Sequence, residues 1–260
     1  MKRTLLFGIL IGIYLFTFPG CKSDSSNPST PATSFSGKSV DYFSVNAGKT
    51  LNIKVSGTQA LYDSLGNLTG SKSINNSSYS TFLGNSVIIN NMSSNPICYL
   101  DDHNNSRTSS YLAVLNGAIV GFDKFGTPQY LTLLPADIKV GDEWNLLLTN
   151  QINKKVKVKL IESLNNFTNT TGKAYQNVLN FHITYQDSSS GVYYYSSTVY
   201  HSWKQTVTVD INLYLAKGVG IVGGILNNLE SIDKENYHSP TQDIGYYQKE
   251  KDSGSAGSID

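Results

Sequence analysis

The chain's 260 residues include only two cysteines, two tryptophans and four histidines, and just 15% of it is charged. Each shortage excludes something. Two cysteines permit at most one disulfide, so a disulfide-stapled scaffold is ruled out. Twenty basic against nineteen acidic side chains leave a formal charge of +1. That is too little for a chain that holds nucleic acid by neutralising phosphates, so no nucleic-acid partner is expected. No apolar run reaches the roughly 20 residues of a membrane-spanning helix. The most apolar stretch, Leu5 to Phe18, is broken by Gly8, Gly12 and Thr17. No GxSxG or HExxH element occurs, and His182, His201 and His238 have no serine or cysteine in a recognisable partner element. No catalytic residue, metal or cofactor is therefore assigned, and a non-enzyme is expected.

What is present begins with the amino terminus. Lys2 and Arg3 precede the apolar stretch, and Phe18-Pro19-Gly20-Cys21 ends it. A basic start and an apolar run of this length make residues 1–20 an export signal. The Gly20-Cys21 boundary resembles a bacterial lipobox. That resemblance implies cleavage before Cys21 and lipidation, palmitate included, of Cys21. It places the protein in the bacterial cell envelope, held to a membrane by its lipid. Lys22 after the cysteine, where an aspartate would retain the protein at the inner membrane, implies the outer membrane. Cys98 is then left without a partner, and the apolar run Ile97-Cys98-Tyr99-Leu100 makes it a buried, inert thiol.

Residues 21–38 are mostly Ser, Thr, Pro, Asn and Gly and read as a flexible tether. Residues 248–260 have a similar composition and read as a disordered tail. Between them the pattern is β. Val156, Val158 and Leu160 alternate with lysines. Leu179, Phe181, Ile183 and Tyr185 alternate with polar residues, as do Val207, Val209, Ile211 and Leu213. Such strands bury one face and wet the other, the antiparallel habit. Turn signals stand at Asn46-Ala47-Gly48, Leu65-Gly66-Asn67, Asn116-Gly117, Val140-Gly141-Asp142 and Ser188-Ser189-Ser190-Gly191. About a dozen strands follow from this spacing, with a short helix at 225–234. Ala47-Gly48-Lys49-Thr50-Leu51-Asn52-Ile53 echoes Val140-Gly141-Asp142-Glu143-Trp144-Asn145-Leu146. The echo suggests two similar β lobes, 39–128 and 129–247, with Leu51 and Trp144 as matching core residues.

Three pieces, Tyr42-Phe43 before Asn46-Ala47-Gly48, Gly141-Asp142-Glu143-Trp144, and Ala216-Lys217-Gly218-Val219-Gly220, together resemble uncharacterised bacterial envelope lipoproteins. Members open strands with Gly-x-x-Trp and close with Ala-x-Gly-Val-Gly. The resemblance implies a strongly curved antiparallel sheet, a half-barrel or sandwich as in lipoprotein carriers, and transfers no functional residue.

Gly218-Val219-Gly220-Ile221-Val222-Gly223 fits the letters of a dinucleotide fingerprint, but β sequence precedes it, so a hairpin is expected. Asp101, Asp102 and His103, with Asp123, are metal-ligand types without metal-ligand spacing, and a solvated loop is expected there. Lys155, Lys157 and Lys159 read as a wet outer face or an edge guard. The sharpest feature is the run 192–203. Strand alternation places Tyr193, Tyr195, Val199, His201 and Trp203 on one face, and Tyr194 and Tyr200 on the other. Such rings pack well on a half-buried sheet, and on an exposed one they stack on a glycan or an apolar ligand. The sequence therefore points to a lipid-anchored, non-enzymatic binding or structural module. A carrier of a lipid-like ligand in the concave face of the sheet is the alternative, and an unrecognised hydrolase the second.

Overall fold

The computed structural model describes residues 34–258, apart from 44, 49, 64, 101–104, 124–129 and 148–154. Cys21 and the metal-type residues Asp101, Asp102 and His103 lie outside the described residues. The amino-terminal half carries β1 (Ser36–Lys38), β2 (Thr50–Tyr62), β3 (Leu68–Leu83), β4 (Val87–Ile89), β5 (Met92–Leu100), β6 (Ser106–Leu115) and β7 (Ala118–Asp123). Next come β8 (Leu131–Leu134), β9 (Asp137–Lys139), β10 (Glu143–Leu147) and β11 (Lys155–Thr168). Four long strands finish the chain: β12 (Ala174–Tyr194), β13 (Tyr200–Ala216), β14 (Gly220–Ser239) and β15 (Gln242–Ser258). The class is mainly β and antiparallel, as the alternation indicates.

Thirteen strands form one sheet in the order β10-β11-β12-β13-β14-β15-β2-β3-β5-β6-β7-β8, with β4 on β5. This is chain order rotated: the carboxy-terminal β15 pairs with the amino-terminal β2, and the two ends of the sheet are the near-consecutive β8 and β10. The sheet curls until those ends meet. The indole Nε1–H of Trp144 on β10 donates to the carbonyl of Leu133 on β8 at 3.0 Å. The two-stranded sheet β1–β9 and a 3-10 turn at Ser39–Asp41 seal the seam. Ser39 N–H donates to Ala136 O, Val140 N–H to Phe35 O, and Gly218 N–H to Asp41 O.

The curl encloses a filled core. Ile119, Leu134, Leu146, Val156, Val158, Leu160, Leu179, Phe181 and Ile211 pack there with Tyr42 of the amino-terminal segment. Trp144 meets Phe181 edge-on at 6.1 Å and is half-buried, not fully buried as the sequence suggests, because it serves the seam. Cys98 is buried as expected, its Sγ near Thr108 Oγ1 and Pro96 O.

Several sequence readings need correction. The proposed lobe boundary at 128/129 falls between β7 and β8, which pair with each other, so strands of both proposed lobes belong to one continuous sheet. The echo is nonetheless real at the level of a turn. Gly48 and Gly141 adopt φ of 78° and 98°, and each sends its N–H to a neighbouring strand, at Leu83 O and Leu160 O. Residues 225–234 are strand, not helix, because they lie between β13 and β15. Ser188–Gly191 is no turn but runs through β12, where Trp203 lies over Gly191 and covers it. Residues 36–38 of the tether are β1, and 248–258 of the supposed tail are β15. The small residues that read as disorder let β15 lie between two strands. A Cβ at Gly257 would stand 2.9 Å from Thr170 Oγ1. The Gly218 and Gly220 run is the expected hairpin, with φ of 73° and 104°. Lys157 faces outward as expected and pairs with Glu143 at 3.0 Å, but β11 is interior to the sheet, so the lysines guard no edge.

Candidate ligand-binding face

Four strands outrun the curl. Among the described residues β11 accompanies β12 only as far as Tyr185, and β5 accompanies β3 only over Thr81–Leu83. Beyond Tyr185, β12 continues for nine residues, about 30 Å at the rise of an extended strand. There β12, β13, β14 and β15 form a single layer with both faces wet. Their registers run without interruption, so the faces can be followed outward residue by residue.

The face that carries Phe181, Ile183 and Tyr185 in the core continues as Asp187, Ser189, Gly191 and Tyr193. Opposite them on β13 stand Val207, Gln205, Trp203 and His201, and next on β14 come Ser231, Asp233, Glu235 and Tyr237. Alternation therefore places Tyr193, His201 and Trp203 together, as the sequence suggests. The rings of Tyr193 and His201 stack at 6.3 Å with 14° between their planes. Tyr195 lies beyond the strand end, in the turn closed by its N–H to Val199 O, and still reaches Tyr237 at 6.3 Å. His201 Nε2 stands 3.2 Å from Glu235 Oε2. A cavity of about 330 Å³ lies on the opposite face, where Ser190, Val192, Ser202, Lys204, Lys234 and Asn236 surround the row Gly191, Trp203 and Glu235 from behind.

The other face ends in a second aromatic group. Tyr194 meets Tyr200 at 5.9 Å, and Tyr200 stacks on His238 at 4.7 Å, which contacts Asp243. Tyr194 is 73% exposed and Tyr193 51%. The tips of the two hairpins are polar: Ser196-Ser197-Thr198 between β12 and β13, Pro240-Thr241 between β14 and β15. Rings flank the tips and do not cap them, so they meet a ligand from the side.

Glu235 and Tyr237 escape a reading of the sequence because β14 looks helical in isolation. One signal could have found them. Counting outward from the Gly218 hairpin pairs His201 with Tyr237 once the two bulges of β13–β14 are allowed for. Among the described residues no group of three or more His, Cys, Asp or Glu could hold a metal. No described helix is long and apolar enough to cross a membrane.

No protein-family model, no curated protein and no solved structure matches the chain. The resemblance to envelope lipoproteins thus rests on its short motifs alone.

Proposed function

We propose that this protein is a lipid-anchored, non-enzymatic binding module of the bacterial outer envelope, and that the single-layer end of its sheet is the binding face. The observation that carries this reading is the cluster of rings on one face of an unlayered sheet, exposed at Tyr193, Tyr195 and Tyr237 and half-buried at His201 and Trp203, with Tyr193 stacked on His201. A folding core gains nothing from rings left in water; a ligand that stacks on them does. The filled interior of the curl supports a surface binder over a carrier, because Leu160, Phe181 and Ile211 occupy the space a carried lipid would need. The hydrolase reading draws on His182–Asp210, His201–Glu235 and His238–Asp243, yet these lie on wet sheet faces and not in a water-excluding cleft.

Two measurements test the proposal. Incorporation of labelled palmitate, lost in Cys21→Ala together with membrane attachment, tests the anchor; labelling that persists in the variant refutes it. Binding of the protein to oligosaccharide and lipid arrays, compared with Tyr193→Ser/Tyr237→Ser, tests the face. Binding that the double variant leaves intact moves the site elsewhere.

A further inference from the structure

Charge on the single-layer end is sorted by face. Along β12–β15 beyond Tyr185 the described ionisable side chains on the side of Trp203 are Asp187, Asp233 and Glu235 with His201, and no lysine or arginine is among them; Lys72 of β3, level with Tyr185, is the nearest cation on that side. The lysines of the same strands, Lys204, Lys234, Lys249 and Lys251, all fall on the opposite side. The contacts agree with the register. Lys249 and Lys251 reach Glu230 at 3.4 and 3.8 Å, and Lys234 lies over the Tyr247 ring at 5.4 Å, all on that opposite side. Random placement on a two-sided sheet would interleave the signs, as surface solubility favours. Here the face of Trp203 is anionic, and on its reverse four lysines outnumber Glu230 and Asp243.

Aromatic faces attract cations through their quadrupole, and carboxylates beside them add Coulombic attraction. Trp203 lies flat over Gly191 with Glu235 directly across the strand pair, and Tyr193, His201 and Tyr237 continue the row outward. Guanidinium is planar and weakly hydrated, and it both stacks on an indole and forks onto a carboxylate. Resting on the proposal that this end of the sheet binds a ligand, we infer that the ligand is a basic segment of a protein partner, one of whose arginines stacks on Trp203 and pairs with Glu235. The face extends about 30 Å, room for several residues of extended chain. A neutral glycan would use the rings but leave the sorted charge without a role. A membrane surface rich in anionic lipid would be repelled by this side.

The chain has two tryptophans, so a ¹⁵N-indole spectrum of the intact protein shows two signals, assigned by Trp203→Phe. Trp144, at the seam, is the internal control for the fold. The probe is a short peptide alternating arginine and serine; its comparators are the same peptide with citrulline for arginine, and a neutral oligosaccharide. The arginine peptide should shift the Trp203 signal and leave Trp144 still. Glu235→Gln and Asp233→Asn should each weaken it roughly fivefold, and salt should weaken it further. Lys204→Gln, on the reverse face, should not weaken it. Equal binding of the citrulline peptide overturns the inference, as does an effect of Lys204→Gln matching that of Glu235→Gln. Oligosaccharide binding at Trp203 without arginine binding overturns the cation but keeps the binding face. A Trp203 signal that no probe moves overturns both.

Discussion

The same three strands, β12, β13 and β14, build two different materials. Over 174–185, 209–216 and 220–226 they carry Val178, Leu179, Phe181, Ile211, Leu215 and Val222, each at most 1% exposed. Over 186–206 and 230–239 no side chain is buried. The backbone pairing is continuous through the change. What differs is the side-chain alphabet: aliphatic residues alternating with polar ones at the packed end, Ser, Lys, Glu and Tyr at the other. Hydrogen-bonded pairing thus sets where a strand goes, and burial sets only how firmly it is held. At the single-layer end the firmness comes from cross-strand pairs, such as Lys249 over the Tyr62 ring at 5.1 Å, each worth a fraction of a kcal/mol to about 1 kcal/mol. A low-stability end is a natural place for a binding surface.

The sharpest test of this contrast lies at the packed end. Phe181 is 1% exposed and touches Trp144 across the core. Phe181→Ala should cost about 3–5 kcal/mol, the range for emptying a buried aromatic site, read as a lowered urea midpoint. A cost under about 1 kcal/mol, the scale of a single cross-strand pair, would mean that the core does not hold the curl together.

A somewhat smaller loss is expected where β15 enters the packed end. Gly257 lies against the turn at Asn169–Gly172, with Thr170 Oγ1, Asn169 Nδ2 and Thr171 Cγ2 all within 3.0 Å of a would-be Cβ. That turn is itself fixed: Asn169 Oδ1 accepts the N–H groups of Thr171 and Lys173, and its Nδ2 donates to Val222 O at 3.0 Å. The neighbours therefore cannot withdraw freely, and Gly257→Val should cost about 1–3 kcal/mol as overpacking. Circular dichroism melts would read it. An unchanged melt would show that the end of β15 is not seated there.

This position also shows what the sequence made legible and what it did not. The strands of the packed end announce themselves, because burying one face forces period-two alternation at Val156–Leu160 and Leu179–Tyr185. A single-layer strand is under no such constraint. Ser188–Gly191 therefore resembles a turn and 225–234 a helix, while 248–258 resembles a disordered tail because its Ser and Gly residues show no apolar alternation even where Asp252–Gly257 enter the packed end; all three are strand. Composition reports how much apolar surface a segment can bury, and these segments owe their order to neighbours on both sides instead. The candidate face was half legible for the same reason. Alternation within one strand unites Tyr193, His201 and Trp203, whereas Glu235 and Tyr237 join them only through register across a hairpin 34 residues in span.

Titration separates the two ends again. Burial pushes the phenols of Tyr42 and Tyr214 up, with the Asp41 carboxylate adding to the effect at Tyr42. Both rings belong to the packed end. The folded state therefore holds these protons more tightly than the unfolded chain, whose phenols titrate near pH 10. The stability they contribute is complete below that pH and is lost as pH rises through their raised folded values. The urea midpoint should fall above about pH 10, and Tyr42→Phe, which keeps the ring, should flatten part of the fall. An identical fall in the variant would remove Tyr42 from the account.

The smallest effect is expected at the far end of the same sheet, on the reverse of the face that carries Trp203. Tyr194 is 73% exposed, its ring touching Tyr200 at 5.9 Å with a 49° tilt. Its removal opens no cavity and leaves no buried polar group, so only a cross-strand contact is lost. Tyr194→Ser should cost less than about 0.5 kcal/mol, the usual ceiling for surface substitutions. A ring of this size, so exposed and so cheap to remove, is not kept for folding. A cost above about 2 kcal/mol would be the cost of a packed residue. It would mean that this end is covered in solution, and the midpoint should then depend on protein concentration if the cover is a second copy. A small cost at every concentration leaves Tyr194 where the wet face puts it, outside the fold's own needs.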